Sequence, residues 1–218
     1  MSETDLLPAD GFRRYDESPD AHFYVQPRFV THIDDPAIAA VSEIYRERLP
    51  GDGAILDLMS SWVSHLPAEV VYREVVGLGM NADELAANPR LTRWLVHDLN
   101  VNPRLPFGDQ EFDAATICVS VQYLTQPITV FREVGRLLRP DAPLIITFSN
   151  RCFPTKAIDL WQRLGDVGHV QLVRRYFELA GNWASIETLD RSPADESDPL
   201  FAVIGHSSSP TLLTKSGR

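Results

Sequence analysis

The sequence has little that would staple, anchor or electrostatically steer a protein. Only two of its 218 residues are cysteines, Cys118 and Cys152. They do not form a metal-like pair, and Cys118 falls inside a predicted strand, so reduced thiols are expected. No apolar run approaches the roughly 18 residues needed to cross a bilayer. The opening MSETDLLPADGFRRYDESPD has neither a basic n-region nor an apolar h-region. A secretory signal is therefore not expected, and a cytoplasmic location is. No Lys/Arg stripe offsets the net charge of −10. Nucleic acid and anionic membranes are accordingly poor matches as partners. The histidines (His22, His32, His65, His97, His169 and His206) show no His-x-x-x-His spacing. There is no Cys-x-x-Cys either, which argues against a metal site.

What is present alternates. A polar lead-in carries Phe12, Tyr15, Phe23, Tyr24 and Phe29. Asp35-Pro36 then offers a helix N-cap and first-turn proline, followed by Ile38, Val41, Ile44, Tyr45 and Leu49 at helical spacing. Strand-like runs follow at 54–59, 75–79, 94–98, 112–119 and 143–148. Between them lie an irregular or helical piece near 67–74, a helix capped by Asn81, and an amphipathic helix opened by Pro127. Helices are predicted over 155–164 and over 168–180, the second closed by Gly181. Trp183–Leu189 and Leu200–His206 look like a closing antiparallel pair. The length suits one core, with residues 1–34 as an N-terminal lid or extension, 35–206 as the domain and 207–218 as a loose tail. Strands alternating with helices imply an α/β fold with a parallel sheet, whose ligands sit beyond the strands' carboxyl ends. Functional residues are therefore expected just after Leu58, Val76, Val96, Val119 and Phe148.

Four stretches carry a resemblance. They are Ile55-Leu56-Asp57-Leu58, the run Leu105-Pro106-Phe107-Gly108-Asp109-Gln110-Glu111-Phe112-Asp113, the segment Glu133–Pro140 with its Leu-Leu-Arg-Pro turn, and Pro143–Phe148. Together they resemble the class I S-adenosylmethionine-dependent methyltransferases, particularly the small-molecule branch, over about residues 36–150. The resemblance implies a three-layer Rossmann-like fold, a mostly parallel seven-stranded sheet and an antiparallel last strand. It also implies methyl transfer from S-adenosylmethionine to a small molecule, which needs in-line positioning, desolvation and sometimes a base. Cofactor contacts would come from Asp57, Met59, Ser60 and Ser61, from Gly79, Met80 and Asn81, and from Asp98 and Leu99, with Val119 underneath. Asp98 stands where the family meets the adenine amino group.

The departures fall in the cofactor loop. Met59-Ser60-Ser61-Trp62-Val63-Ser64 contains no glycine, where the family lets backbone approach the methionine moiety. The family's ribose-binding acid aligns with Gly79, and Asn81 offers a neutral substitute. Trp62 either stacks on a ligand or plugs the space the glycines vacate. Two outcomes stay open: a rebuilt pocket that still takes the cofactor, or a non-catalytic ligand-binding or partner protein on the same scaffold. Whether Met59 and Val63 leave a cavity decides between them.

A rival signal lies in Val75–Ala82, which fits a dinucleotide fingerprint with Asp98 downstream. That fingerprint normally follows the first strand of a fold, and here an earlier strand precedes it, which disfavours an NAD-binding oxidoreductase. In the lead-in, Tyr24, Arg28 and His32 are candidate lid residues over cofactor and substrate, with Arg28 paired to a carboxylate. The alternative is that this segment only packs aromatics on the sheet edge. Tyr123 and Asn150 follow the fourth and fifth strands at the ligand end, although an aromatic at 123 also suits the core. Cys152 reads as a plain thiol. His32 and His65 are positional candidates for a general base, and monomer and homodimer both remain open.

Overall fold

The computed structural model describes residues 7–194 and 196–209. Its centre is a seven-stranded sheet in the order β3-β2-β1-β4-β5-β7-β6. The strands are β1 (Ala54–Leu58), β2 (Glu74–Gly79), β3 (Arg93–Val96), β4 (Ala114–Cys118), β5 (Pro143–Phe148), β6 (Trp183–Asp190) and β7 (Phe201–Ser207). The pairings among β3, β2, β1, β4 and β5 are parallel, and β7 runs antiparallel to both its neighbours. This is the three-layer α/β arrangement that the alternation and the resemblance imply. β1 and β5 are buried along their whole length, as strands covered on both faces must be, and their sequences are apolar but for Asp57 and Thr147.

Successive side chains on each strand feed opposite faces. Leu56, Leu58, Ile117 and Ile146 pack with α4 (Pro127–Leu137) and α6 (Asp166–Ala180). Ile55, Val75, Ala114 and Ile145 pack on the other side with α2 (Asp35–Arg48), which follows the one-turn α1 (Asp20–Phe23). The inward residues of α2, among them Val41, Ile44 and Tyr45, recur at three- and four-residue spacing. Its cap is Asp34, one residue earlier than expected, with the side chain accepting from the Ala37 N–H at 3.0 Å. That carboxylate also accepts from the Asp198 N–H, tying the β6–β7 loop to the start of α2.

Several expectations shift. β3 ends at Val96, and β4 occupies only 114–118 of the predicted run. The helix expected over 155–164 shrinks to one turn, α5 (Asp159–Gln162), while Gly181 ends α6 with a left-handed φ of 77°. β7 includes Ser207, and the rest of the expected tail from 210 onward lies outside the described residues. Between β1 and β2, residues 59–73 form no helix and fold back irregularly over the sheet's carboxyl end. After β2 comes only the short α3 (Ala82–Ala87). Among the described residues no helix is long and apolar enough to cross a membrane.

Candidate functional site

The carboxyl ends of β1, β2, β3 and β4 surround a cavity of about 130 Å³, room for roughly ten water positions. Met59 and Val63 line it without closing it. Each predicted cofactor residue faces this space: Asp57, Met59, Ser60 and Ser61 after β1, Gly79, Met80 and Asn81 after β2, Asp98 and Leu99 after β3, and Val119 after β4. The N-terminal segment roofs it with Tyr24, Arg28 and His32, and Tyr123 completes a side wall. Asn150 lies apart, in an adjoining hollow that shares His32, Tyr123 and Phe153 with the cavity.

A buried carboxylate holds the glycine-free loop together. Asp57 accepts hydrogen bonds from the hydroxyls of Ser60 at 2.6 Å, Ser64 at 2.7 Å and Thr116 at 2.9 Å. Burial raises its pKa above the ordinary value, against the pull of the three hydroxyls. The Asn88 amide donates to Ser64 Oγ and to the Ser61 carbonyl, extending the network. The serines therefore brace the loop from within, rather than presenting their hydroxyls to a ligand.

The same loop explains the missing acid. Ser60 N–H donates to the Leu78 carbonyl at 2.7 Å, laying the loop against the end of β2. A Cβ at Gly79 would come within 2.1 Å of the Ser60 carbonyl oxygen. Restoring the family's acid by Gly79→Asp is thus expected to destabilise the fold by about 2–3 kcal/mol. In a thermal melt that is a fall of roughly 4–12 °C. A melt within about 1 °C of wild type would show that the loop yields freely.

Asn81 is not free to replace that acid. Its Oδ1 caps α3 by accepting from the N–H groups of Asp83 and Glu84. Its amide donates to the Tyr24 carbonyl at 2.9 Å and the Val25 carbonyl at 3.3 Å. Both ends are spent, so the hydrogen-bonding reserve expected of Asn81 is absent. Glu84 holds the carboxylate that sequence reading missed. It is buried, lines the cavity, and accepts from the Arg28 backbone N–H at 2.7 Å and the Ser61 hydroxyl at 2.6 Å. Three residues after an N-cap, it reads in sequence as a capping-box glutamate, which hides its direction.

The carboxylate pairing expected of the Arg28 side chain is not formed among the described residues; only its backbone N–H meets Glu84. Its guanidinium bonds the Phe23 carbonyl at 2.9 Å instead. Trp62 does not plug the glycine space: its indole N–H donates to the Val30 carbonyl at 3.1 Å, and its ring meets Phe29 edge-on. Ser61, Trp62, Asn81 and Glu84 thus fasten the 24–30 segment over the cavity.

Two further features single out this cavity. Met59, His65 and Val119 line it with φ of 54°, 51° and 43°. Left-handed backbone is costly for such side chains, above all for a β-branched valine, and strain of this kind gathers at functional sites. Ser120 Oγ also lines it, buried and without a hydrogen-bond partner. A buried hydroxyl left unpaired is open to a ligand. Asp98 spends Oδ1 on the N–H groups of Asn100 and Val101, and among the described residues no bond engages Oδ2. Burial lowers the pKa of both His32 and His65, which favours the neutral ring.

The roof is anchored at its root by a charge cluster. Lys156 is fully buried, 3.0 Å from Asp16 and 3.2 Å from Asp20, and Arg14 grips both oxygens of Asp20. Asp16 is pulled down to about 2 by Ser18 and then Lys156. For Asp20, burial raises the pKa, but Arg14, Asn100 and Lys156 outweigh it and the net shift is downward. A depressed carboxylate stabilises the fold above its unfolded value and loses that contribution as pH falls towards its folded one. Between about pH 4 and 2, amides of residues 13–24 should lose hydrogen-exchange protection before those of β1 and β5. Simultaneous loss would show that the cluster does not anchor the segment.

Comparison with known proteins agrees with this geometry. Residues 51–146 match the methyltransferase domain family. Over that stretch, which runs from β1 into β5, the chain is similar to that family. The cofactor of that family is S-adenosylmethionine. No curated protein matches the chain in sequence. Among solved structures, the methyltransferase bound to the Trm112 activator from Haloferax volcanii superposes with a TM-score of 0.61 at 15% identity, over 80% of this chain and 92% of that one. The [4+2]-cyclase SpnF gives 0.60 at 15% identity, over 86% and 91%. An S-adenosylmethionine-dependent methyltransferase from Mesorhizobium loti gives 0.56 at 17% identity, over 77% and 98%. These likenesses establish the methyltransferase fold. The cyclase among them is a reminder that one scaffold carries more than one chemistry.

Proposed function

We propose that the protein transfers a methyl group from S-adenosylmethionine to a small-molecule acceptor, with residues 13–32 as a lid over the cofactor. The observation that carries this reading is the cavity itself. The predicted cofactor residues line it, and it holds a strained backbone, an unpaired buried hydroxyl and a well-placed carboxylate. Glu84 takes the ribose hydroxyls in place of the acid excluded at Gly79, exchanging its bonds to Ser61 and the lid. The free Oδ2 of Asp98 accepts from the adenine amino group, and Ser120 Oγ meets the amino-acid end. Met59, Leu99 and Val119 exclude water.

The cofactor supplies a sulfonium-activated methyl whose sulfur departs as a neutral thioether. The chain's own task is to hold the acceptor in line from the side of Tyr123 and Asn150. His32, neutral and on the wall between cavity and hollow, takes the acceptor's proton where it has one. His65 stands behind it at the strained end of the β1 loop.

Incubation with methyl-labelled S-adenosylmethionine and a deproteinised small-molecule extract tests the proposal. Label should appear in a new small molecule in step with S-adenosylhomocysteine. Cofactor that binds but never gives up its label would favour a non-methylating protein on this scaffold.

A further inference from the structure

Resting on that reading, we infer that the acceptor is a small planar carboxylate whose anion is bound by the Arg28 guanidinium. Arg28 is the only arginine or lysine lining the cavity among the described residues. A guanidinium presents five N–H donors. Here one bond, to the Phe23 carbonyl, is short, and a second, to the Gln26 carbonyl, is 3.4 Å. No described carboxylate forms an ion pair with this side chain. The nearby acids are already engaged: Asp20 by Arg14 and Lys156, and Glu84 by the lid backbone and Ser61.

Its surroundings specify the ligand further. The guanidinium carbon lies 4.4 Å from the Phe23 ring centre and 5.5 Å from that of Phe153. Rings against the cation keep water from its face and leave its edge for a two-point contact with a carboxylate. Phe153 follows β5, stacks with Tyr123 at 6.0 Å and meets His32 edge-on at 5.2 Å. Those rings line the adjoining hollow as well, on the side away from β2 and β3. A flat acceptor carrying a carboxylate satisfies both the cation and the rings. In a chain of net charge −10, a local unpaired cation is what makes an anionic ligand acceptable.

The test is a calorimetric titration with benzoate and its neutral isostere benzamide, in the presence of S-adenosylhomocysteine, on wild type, R28Q and R28K. Benzoate should bind wild type at least tenfold more tightly than benzamide. R28Q should abolish that preference, and R28K should retain part of it, since a lysine keeps the charge but not the fork. A wild type that does not prefer benzoate, or an R28Q that still does, overturns the inference. So does a loss of S-adenosylhomocysteine affinity in R28Q with the benzoate preference intact, which reassigns Arg28 to the cofactor's own carboxylate. If S-adenosylhomocysteine fails to bind wild type, the proposed function fails first. The benzoate preference, read without it, then stands or falls alone.

Discussion

Glu84→Gln is expected to weaken S-adenosylhomocysteine binding by roughly 10- to 100-fold while leaving the fold intact. Glutamine keeps the size and one acceptor, but loses the negative charge that makes bonds to hydroxyl donors strong. A charged hydrogen bond contributes about 1.5–3 kcal/mol, and each 1.4 kcal/mol is about tenfold in affinity. The proposed role falls to the first turn of α3 rather than to the end of β2 for a steric reason. The β1 loop lies so close to Gly79 that no side chain fits there. An affinity within about twofold of wild type would show that Glu84 only holds the lid.

Asp57→Ala is expected to be the most destabilising single change in the site. It leaves the hydroxyls of Ser60, Ser64 and Thr116 facing an empty buried position. Unsatisfied buried donors and the cavity together predict a loss of about 3–4 kcal/mol, or roughly 10 °C in a thermal melt for a chain of this length. Asp57→Asn, which preserves shape and one acceptor, should lose less than half as much. Equal losses in the two variants would mean that the fold depends on the charge rather than on the hydrogen bonds.

Much of the fold is legible because central parallel strands are buried on both faces, and Ala54–Leu58 and Pro143–Phe148 therefore stand out as runs that are apolar but for Asp57 and Thr147. The entry run ending at Phe112-Asp113 carries its own structural logic. Asp113 accepts from the Ala54 N–H and pairs with Arg73 and Arg139, stitching β1 to the turn before β5. The edge strand β3, half-exposed and four residues long, was harder to bound, as edges are. The positions of the site residues were also readable, since they follow strand ends. Their partners were not. Glu84 is distant in sequence from Arg28 and Ser61, and only the folded chain brings the three together. Ser60 and Ser64 turn inward to Asp57, and Ser61 bonds Glu84, partners that the loop's sequence does not announce. Asn81 looked like a substitute for an acid, and is consumed by α3 and the lid.

The proposed function requires that this rebuilt pocket still take S-adenosylmethionine. Calorimetric titration of the wild-type protein with S-adenosylhomocysteine, paired with a thermal melt, tests it most directly. Saturable one-to-one binding is expected and, at a hundredfold excess over Kd, stabilisation of about 2.7 kcal/mol. No heat and no shift in melting temperature at millimolar ligand would contradict it.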